Sequence, residues 1–457
     1  MTDLARVLAA TAWNAIGGGA DVLEALGFDG AGGLESTFAV SDLATAAIGV
    51  AGLSIAELVA GRGGDLPAVH VDRRLASFWF ASSIRPIGWA LPAAWDPIAG
   101  DYRAKDGWIR LHTNAPHHRA AAERVLGHHV DKAGMAAAVA RWDAGDLEQA
   151  IVAAGGCAAE MRPVAAWAVH PQGQAVAAEP LADVSIAATG ARRDRPAPAS
   201  RPLTGIRVLD LTRILAGPVA SRFLAGFGAE VLRIDPPDWD EPGLAPEVTP
   251  GKRCARLDLE SAKGRSTFEA LLSGADILLH GYRPGALDRA GFDAAARRAI
   301  SPGLIDVCLC AYGWSGPWAG RRGFDSLVQM SSGIADAGMR WRNADKPVPL
   351  PVQALDHATG YLMAATAIRG LARRRVDGSG MEARLSLART AKLLVDQGEG
   401  HRAVPLAAET PADQAPAIEA TAWGEARRLI PPVVVGEAVM RWALPACPLG
   451  SAEPRWM

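Results

Sequence analysis

The chain has 457 residues, 49% of them apolar and 21% charged, a balance typical of a globular protein with two or three domains and a large core. A formal net charge of −2 excludes a strong positive field, so neither nucleic acid nor an anionic membrane is favoured as a partner. Five scattered cysteines favour reduced thiols over a disulfide framework. The N-terminus has an early acid and a weak apolar stretch, a poor signal-peptide pattern, and we expect a cytoplasmic protein.

A helix–strand pattern that occurs twice begins after residues 1–40, to which no role can be assigned. Residues 41–76 and 355–390 align without a gap, and the alignment places Asp42 over Asp356. Each copy consists of an aspartate, an alanine-rich helix, a glycine-containing turn and a short strand. Because a complete α/β block separates the copies, the pattern indicates how the chain was assembled.

Residues 43–60, the helical part of the first copy, are apolar enough to raise the question of a membrane span. They contain alanine and glycine more than leucine and phenylalanine, and Glu57 lies among them. This composition favours a closely packed helix of a soluble protein, and no membrane partner is expected.

A small α+β domain is predicted between residues 95 and 180. Asp106-Gly107 is a hairpin signal before an alternating strand at 108–112, and Pro116 begins a helical stretch. The histidines clustered between residues 112 and 129 lack the spacing of a zinc site, so we interpret them as a solvated helix face. The charged, proline-rich residues 191–202 predict a linker.

From residue 203 strands alternate with helices. Apolar runs at 206–211 and 230–234 flank a predicted helix at 218–227, which together make a βαβ unit. Further strands are predicted at residues 255–259, 276–280 and 305–312. The alternation predicts an α/β fold with a doubly wound, mostly parallel, Rossmann-like sheet beside the smaller α+β domain. The proline-rich tail from about residue 401 is expected to wrap this domain.

The turn after the first of these strands is a candidate ligand site. It contains Arg213, Leu215 and Ala216 and lies at the carboxyl edge of the predicted sheet, where α/β proteins bind ligands. The amino end of the following helix favours anions, although the GxGxxG fingerprint is absent. A tight turn with Pro218 at the start of a helix explains the same residues, and both interpretations stay open.

Cationic residues occur in other loops at the same edge. Lys252 and Arg253 precede the third predicted strand, and Tyr282, Arg283 and Arg289 follow the fourth. Convergent lysines and arginines suit a phosphorylated ligand, whereas each alone is typical of a solvated surface charge. Their recurrence in successive loops favours a ligand site.

Five segments in chain order carry a more specific resemblance. They are LTGIRVLDLTRILAGPVASRFLAGFGAEVLRID, GKRCARLDL, DILLHGYRPGALDRAGF, GRRGFDSLVQMSSGI and LDHATGYLMAATAI. From residue 203 to about 387 the chain resembles the family III CoA-transferases (the CaiB/BaiF family), which are related to the α-methylacyl-CoA racemases. The earlier segment GDYRAKDGWIRLHTN is similar to the family's smaller domain.

The order of these domains departs from the family, in which the small domain follows the large one and two chains interlock as a dimer. Here the small-domain segment comes first. The resemblance therefore implies a fused two-copy member, with a truncated first copy at residues 41–190 and a large domain with its tail at 203–457. One chain then builds one active site from both parts, and a homodimer is expected because the family's interfaces are present.

The resemblance implies transfer of CoA from an acyl-CoA thioester to a free carboxylic acid. The family's nucleophile is the aspartate of a DxxTG element, here Asp356, supported by Asp325. Its carboxylate forms first a mixed anhydride and then an aspartyl-CoA thioester. A helix N-cap is the alternative role of Asp356. The expected partners are an acyl-CoA and a carboxylic acid, with no permanently bound cofactor and no metal.

The resemblance also implies a coenzyme site, at Arg213, Leu215, Ala216, Lys252, Arg253, Tyr282, Arg283 and Arg289. An acyl-CoA racemase or isomerase is the first alternative, and Phe324 disfavours it because the racemases have a catalytic histidine there. A non-catalytic paralogue that binds CoA esters is the second, motivated by the domain order and by the lack of a clear match to the family's glycine-rich lid. We interpret Asp42, whose copy has Ala46 in place of Gly360, as a relic or a cap.

Overall fold

The computed structural model describes residues 3–189 and 197–457. The first half of the predicted linker at residues 191–202 therefore lies outside the described residues. The N-terminal region contains α1 (Leu4–Ala15), β1 (Leu26–Asp29), α2 (Val40–Ala60), β2 (Val69–Asp72), α3 (Arg73–Trp79) and β3 (Ile84–Pro86).

The helix α2 is, among the described helices, the one long and apolar enough by length and composition to cross a membrane. In its most apolar window 83% of the residues are buried inside the protein. The core helix of a soluble protein passes the same test of length and composition, and α2 is packed as such a helix is.

The small α+β domain contains the predicted hairpin and helices. Its elements are β4 (Gly100–Arg103), β5 (Trp108–Leu111), α4 (Pro116–Leu126), α5 (Lys132–Val139), α6 (Ala144–Ala153) and β6 (Ala158–Glu160). The antiparallel sheet has the order β4-β5-β6, and the Ala104 N–H donates to the Gly107 carbonyl at 3.0 Å to close the hairpin. A hydrophobic core of its own, which includes Ile109, Leu147 and Ile151, stabilises this domain.

The chain then leaves the small domain and enters the large sheet. The elements from here to the end are α7 (Val164–Val169), α8 (Pro171–Ala178), β7 (Asp183–Thr189), β8 (Arg207–Leu211), α9 (Ala216–Gly226), β9 (Glu230–Asp235), α10 (Ala245–Val248), β10 (Lys252–Arg256), α11 (Ala262–Ser273), β11 (Ile277–His280), α12 (Ala286–Arg289), α13 (Ala294–Ile300), β12 (Ile305–Cys310), α14 (Asp325–Ser331), α15 (Ile334–Arg342), α16 (Ala354–Asp377), β13 (Ser379–Ser386), α17 (Leu387–Val395), β14 (Glu419–Thr421), β15 (Gly424–Arg428) and β16 (Val433–Val435).

The large sheet has seven strands in the order β10-β9-β8-β11-β12-β13-β7. All neighbours are parallel except β13 and β7, which pair antiparallel. Its parallel strands follow the order of a doubly wound sheet, third-second-first-fourth-fifth-sixth along the chain. The predicted mixed α/β fold with a mostly parallel sheet is confirmed.

Both faces of this sheet are buried, which explains why its strands are nearly continuous apolar runs. Val208 and Ile277 belong to the core on one face, whereas their neighbours Leu209 and Leu278 belong to the core on the other. The first core is filled by α9 and α16 and the second by α11. The helices on both faces hold the carboxyl edge of the sheet in place.

The third strand starts earlier than the apolar pattern predicts. Lys252 and Arg253 do not precede β10 but form its first two residues, paired with Val231 and Leu232 of β9. A cation at the start of a buried strand is tolerated because the Lys252 ammonium lies 3.3 Å from the Asp210 carboxylate. The sequence could not show this partner.

The two copies of the repeated pattern have the same local structure. The N-cap of α2, Ala39, has φ −77° and ψ 61°, and the N-cap of α16, Gln353, has φ −76° and ψ 64°. Each helix is followed by a strand and then a short helix, β2 and α3 in the first copy and β13 and α17 in the second. Each strand has a parallel neighbour on one side and an antiparallel neighbour on the other.

The first copy's helix packs directly on the second. Along α2 and α16, Arg369 donates to both Glu57 carboxylate oxygens at 2.5 Å. Both helices belong to one hydrophobic core, which also includes α1 and α9. The division of the chain at residues 40, 190 and 202 stays a prediction, and the packing groups α2 with the large domain rather than with the small one.

The C-terminal tail runs back over the N-terminal region, as expected from its proline-rich sequence. Its strand β16 pairs with β2, and β15 pairs with β3. Trp442 stacks on Trp79 with ring centroids 5.9 Å apart. The tail thereby fastens the first copy to the large domain.

Candidate functional site

A cavity of about 380 Å³ opens at the carboxyl edge of the large sheet. Its walls are the turn after β8, the loop after β11, the segment before α14, the start of α16 and two residues of α4. The lining residues that carry the argument are Arg213, Ile214, Ala216, Tyr282, Arg283, Phe324, Asp356, His117 and His118. Loops at the carboxyl ends of parallel strands converge here, which is where α/β folds bind ligands.

Asp356 is the third residue of α16 and lies in the wall of this cavity, with 6% of its surface exposed. The N-cap of α16 is Gln353, so the interpretation of Asp356 as a cap is wrong. The carboxylate lies instead within the first helical turn, where the positive end of the helix dipole favours negative charge. This is a suitable place for a buried nucleophile.

Asp325 fixes the start of α16 from the side. One of its carboxylate oxygens accepts the backbone N–H groups of Leu355 at 2.9 Å and Asp356 at 3.0 Å. The other accepts the Gln329 side-chain amide, whose own oxygen accepts the Leu350 N–H at 2.7 Å. Because Asp325 is 1% exposed, it acts as a buried clamp that sets the position of Asp356.

The two carboxyl groups disfavour each other's ionisation. Burial raises the pKa of Asp356 well above its usual value, and the nearby charge of Asp325 raises it further. Burial also raises the pKa of Asp325 to about 6, against the hydrogen bonds that favour its ionised form. The site therefore holds a proton at pH values where an isolated aspartate has lost it.

A close packing contact brings Asp356 to the turn after β8. A Cβ atom on Gly360 would lie 2.3 Å from the Ala216 carbonyl oxygen, so the absence of a side chain lets α16 approach α9. A Cβ on Gly217 would lie 2.2 Å from Thr212 in the same turn. These glycines allow the turn and the helix to form one continuous cavity wall.

Ile214 takes the place at the cavity that the sequence assigned to Leu215. Leu215 is 3% exposed and belongs to the hydrophobic core, whereas Ile214 lines the cavity. Ile214 has φ +66°, which is strained for a β-branched residue. Its N–H donates to Glu241 at 2.7 Å, which holds this conformation. The strain turns one residue toward the core and its neighbour toward the cavity.

Arg213 is held between two aromatic rings. Its guanidinium carbon lies 4.9 Å from the centroid of Trp239 and 5.2 Å from that of Tyr282, and it donates to the Tyr282 hydroxyl at 3.3 Å. Cation–π contacts on both sides restrict the guanidinium without neutralising it. Arg213 is therefore a rigid, charged part of the wall.

Of the remaining residues predicted to bind the coenzyme, some line the cavity and others lie away from it. Arg283 lines the cavity, and burial together with the charges of Arg322 and Arg289 lowers its pKa, so the three guanidinium groups are neighbours. Arg289 is exposed beyond the cavity lining. Lys252 is 1% exposed and donates to the Ser221 hydroxyl at 2.6 Å and to the Pro218 carbonyl at 2.9 Å. Lys252 therefore stabilises the sheet below the cavity and does not line it.

Arg253 also lies away from the cavity. Its side chain donates to the Arg455 carbonyl at 2.6 Å and to the Glu453 carbonyl at 3.3 Å. It binds the C-terminal tail to the edge strand β10. The predicted residues that meet at the cavity are thus Asp356, Arg213, Ala216, Tyr282 and Arg283, with Asp325 directly behind them.

Sequence reasoning missed the histidines of α4. His117 and His118 line the cavity, and His118 is only 4% exposed, so the interpretation of this cluster as a solvated face is wrong for His118. His112 is 5% exposed and stacks on Phe324 with ring centroids 3.7 Å apart. Burial lowers the pKa of both His112 and His118 to about 3, which keeps these rings neutral. The available signal was Pro116, which places the start of α4 shortly after the end of β5.

A second cavity of about 670 Å³ adjoins the first between the small and large domains. The two share His117, Arg213, Ile214, Trp239 and Phe324 as lining residues. The small domain thus forms one side of the site, although it comes before the large domain in the chain.

The first copy's aspartate lies in a different environment. Asp42 is 6% exposed, and the two Nη atoms of Arg73 each donate to one of its carboxylate oxygens at 2.8 Å. The alignment places Leu387, which lines the cavity beside Asp356, at the position of Arg73. Asp42 is therefore neutralised by a bidentate ion pair, whereas the aligned position in the second copy puts an apolar side chain in the same cavity wall as Asp356.

Within residues 3–189 and 197–457, no cluster of three or more histidine, cysteine, aspartate or glutamate side chains is arranged to hold a metal ion.

Part of the chain matches a known protein family. Residues 203–414 match the model of CoA-transferase family III. The match covers most of the large domain, up to residue 414, and supports the predicted family and an enzyme of this class. The small domain and the N-terminal region lie outside the matched residues.

Individual relatives match a similar length of the chain. A probable fatty acyl-CoA transferase of Mycobacterium tuberculosis is 32% identical over 193 residues, which are 39% of this chain and 48% of that protein. Succinyl-CoA--D-citramalate CoA-transferase of Chloroflexus aurantiacus is 30% identical over 194 residues, 39% of this chain and 48% of that protein. The crystal structure of a CAIB/BAIF family protein from Brucella suis is 26% identical, with a TM-score of 0.39 over 50% of this chain and 65% of that one. The chain spans about half the length of the curated relatives it matches.

Proposed function

We propose that this protein transfers coenzyme A from an acyl-CoA thioester to a free carboxylic acid, with Asp356 as the nucleophile. The observation that carries the proposal is the position of Asp356, a buried carboxylate in a cavity wall whose backbone is clamped by Asp325. The family match of residues 203–414 and the names of the relatives support the reaction class.

The proposed reaction has two halves. The ionised Asp356 carboxylate attacks the thioester carbonyl, the C–S bond breaks, and a mixed anhydride and CoA thiolate form. The thiolate then attacks the aspartyl carbonyl, which releases the donor acid and leaves an aspartyl-CoA thioester. The acceptor carboxylate repeats these steps in reverse, so the new acyl-CoA leaves and Asp356 is regenerated without a net change of protons.

The cavity wall supplies what this reaction needs. Arg213, Tyr282 and Arg283 provide positive charge and hydrogen-bond donors for the phosphates of the coenzyme. Ile214 and Leu387 provide an apolar surface that reduces access of water to the acyl-aspartyl intermediates. Leu215, Lys252, Arg253 and Arg289 lie away from the cavity and have a structural or peripheral role in this proposal.

The same proposal includes the assembly of the chain. We infer that residues 41–190 are a truncated copy, that residues 203–457 carry the one catalytic aspartate, and that the small domain completes the site within the same chain. Three observations support this: the matching N-cap geometry of α2 and α16, their direct packing, and the ion pair that neutralises Asp42. Cytoplasmic localisation and a homodimer stay predictions.

An acyl-CoA racemase or isomerase on the same fold receives less support. The place of the racemases' histidine is occupied by Phe324, and the imidazole packed beside it, His118, has its pKa lowered to about 3 and is a weak base. Incubation in deuterium oxide tests this alternative. Incorporation of deuterium at the α-carbon without CoA transfer would favour it.

CoA exchange tests the proposal. Acetyl-, butyryl-, succinyl- and benzoyl-CoA are each incubated with isotope-labelled carboxylic acids, and labelled acyl-CoA is measured. We expect label in acyl-CoA with the wild-type protein and with Asp42→Asn, and a loss of about 10³-fold or more with Asp356→Asn. Binding of acyl-CoA without exchange for any acid would support the non-catalytic paralogue instead.

A further inference from the structure

Two arginines with different surroundings lie next to each other in the cavity wall. Arg321 forms an ion pair with Glu148 at 2.9 Å and lies over the Trp318 ring. Arg322 donates to the Gly155 carbonyl at 3.1 Å, and within the described part of the chain no carboxylate lies within ion-pair distance of it. Arg283, beside it, likewise has no carboxylate partner among these residues. The cavity therefore has uncompensated positive charge.

The α4 helix faces this charge with a buried imidazole that has no partner. Neither ring nitrogen of His118 has a hydrogen-bond partner within the described structure, although the residue is only 4% exposed and lines the cavity. A buried polar group without a partner is costly, and a ligand in the cavity supplies one. Burial lowers the pKa of His118, and the nearby charges of His117, Arg322 and Arg283 lower it further, so it faces a ligand as a neutral donor.

The amino end of α4 adds to the same field. This helix has eleven residues and no side-chain hydrogen bond at its N-cap, Ala115. Ala115, Pro116 and His117 line the adjoining cavity, so the positive end of the helix dipole lies at the junction of the two cavities. Positive charge, an unpartnered buried imidazole and a helix terminus thus lie around the two adjoining cavities.

A carboxylate fits this arrangement because its planar pair of oxygens accepts from a guanidinium fork and an imidazole together. We propose that Arg322, His118 and the amino end of α4 form a subsite that binds a second carboxylate on the transferred acid. Dicarboxylic acids are then the preferred substrate class. This inference rests on the proposed CoA-transferase function, because Asp356 in the same cavity engages the reacting carboxyl end. A phosphate of the coenzyme is the other oxyanion with this chemistry, and the test separates the two.

The test compares acceptors of equal chain length. Steady-state kcat/KM is measured for glutarate against valerate and for adipate against hexanoate, with wild type, Arg322→Met and Arg322→Lys. Arg124→Met is the matched control, because Arg124 donates to the neighbouring Ala154 carbonyl at 2.6 Å and does not line either cavity. Circular dichroism checks the folding of each variant.

We expect Arg322→Met to lower kcat/KM for the dicarboxylates by about 10- to 100-fold and for the monocarboxylates by less than about threefold. Arg322→Lys recovers part of this preference, and Arg124→Met changes neither series. An equal loss in both series, or no loss, would overturn the subsite. A weaker affinity for CoA in Arg322→Met with an unchanged dicarboxylate preference would assign Arg322 to a phosphate and would also overturn it.

Direct binding separates failure of the subsite from failure of the proposed function. Trp239 lines both cavities, so quenching of tryptophan fluorescence by glutarate and by valerate reports binding without turnover. Arg322-dependent binding of glutarate in a protein that transfers no CoA would support the subsite and contradict the transferase. Transfer of CoA without a difference between glutarate and valerate would support the transferase and contradict the subsite.

Discussion

The two aspartates Asp42 and Asp356 occupy the same position in two similar helix–strand units, yet Asp356 lines a cavity and Asp42 is held in an ion pair. Both are the third residue of a long buried helix whose N-cap has nearly the same dihedral angles. Their side chains are equally buried, at 6% exposure. Local structure and burial are therefore not what distinguishes Asp356 from Asp42.

The neighbours of each aspartate make the difference. Arg73 neutralises Asp42 in the first copy, and the aligned Leu387 leaves Asp356 without a cation in the second. Asp356 instead has another carboxylate, Asp325, behind it. The first arrangement offsets the charge of a buried carboxylate with a guanidinium, whereas the second raises the pKa of a carboxylate in a cavity wall.

The largest expected effect comes from placing an arginine in the second copy at position 387, where the first copy has Arg73. In Leu387→Arg, we expect the new guanidinium to pair with Asp356 as Arg73 pairs with Asp42, which lowers the nucleophilicity of the carboxylate and fills part of the cavity. CoA-transfer activity should fall by about 10³-fold, a loss of about 4 kcal/mol in transition-state stabilisation. The measurement is kcat/KM in the exchange assay. Leu387→Met, similar in size and uncharged, is the control, and an equal loss in that variant would contradict the electrostatic explanation.

The reciprocal change tests the first copy. Arg73→Leu leaves Asp42 buried without its bidentate partner, because the other basic group within ion-pair distance among the described residues is the His401 imidazole, at 3.6 Å, which is charged only if protonated. We expect the free energy of unfolding at neutral pH to fall by about 3 kcal/mol with CoA-transfer activity retained. Urea titration measures this loss. The double change Arg73→Leu with Asp42→Leu should recover most of it, and unchanged stability of the single variant would show that the pair is not buried as described.

The glycine that differs between the copies gives an intermediate effect. Gly360→Ala introduces the residue of the first copy, Ala46, and its Cβ would lie 2.3 Å from the Ala216 carbonyl oxygen. We expect α16 to move away from α9, with a loss of about 1–3 kcal/mol in stability and a clear loss of activity. Thermal unfolding and the exchange assay measure both. Ala46→Gly, the reverse change in α2, should cost about 1 kcal/mol through helix propensity and leave activity unchanged.

The smallest expected effect is a shift in pH dependence. The pKa values of Asp325, about 6, and Asp356, well above 3.8, are raised in the folded protein, so the folded state binds more protons than the unfolded one. Stability should therefore fall as pH rises from about 4 through 6 and beyond, whereas activity should rise because the nucleophile is the ionised form. Asp325→Asn removes the neighbouring charge, and the acid limb of kcat/KM should move to lower pH. An acid limb that moves to higher pH, or that does not move, would contradict the electrostatic coupling between Asp325 and Asp356.

The fold and part of the site follow from the sequence because they depend on local patterns. Apolar runs and the turn after β8 predict the parallel sheet and bring Arg213, Tyr282 and Arg283 to one edge. Lys252 was misplaced because its partner Asp210 is on another strand, and a buried ion pair has no local signature. Leu215 was misplaced because one strained residue, Ile214, reverses which side chain faces the cavity.

The small-domain side of the site could not be predicted for a related reason. The histidines of α4 look like a polar helix face in the sequence, and only the packing of the small domain on the large one buries His118. The role of Arg322 likewise depends on the pairing of its neighbour Arg321 with Glu148, which is distant in the chain. Contacts between residues of different domains produce no regular spacing in the sequence, so they cannot be predicted from it.

The most direct test of the account is to locate the covalent intermediate. The protein is incubated with acyl-CoA, trapped with hydroxylamine or borohydride, digested and analysed by mass spectrometry. The account predicts a modification on the peptide that carries Asp356, absent in Asp356→Asn and still present in Asp42→Asn. A modification on the peptide that carries Asp42, or CoA binding without any modification of Asp356, would contradict it.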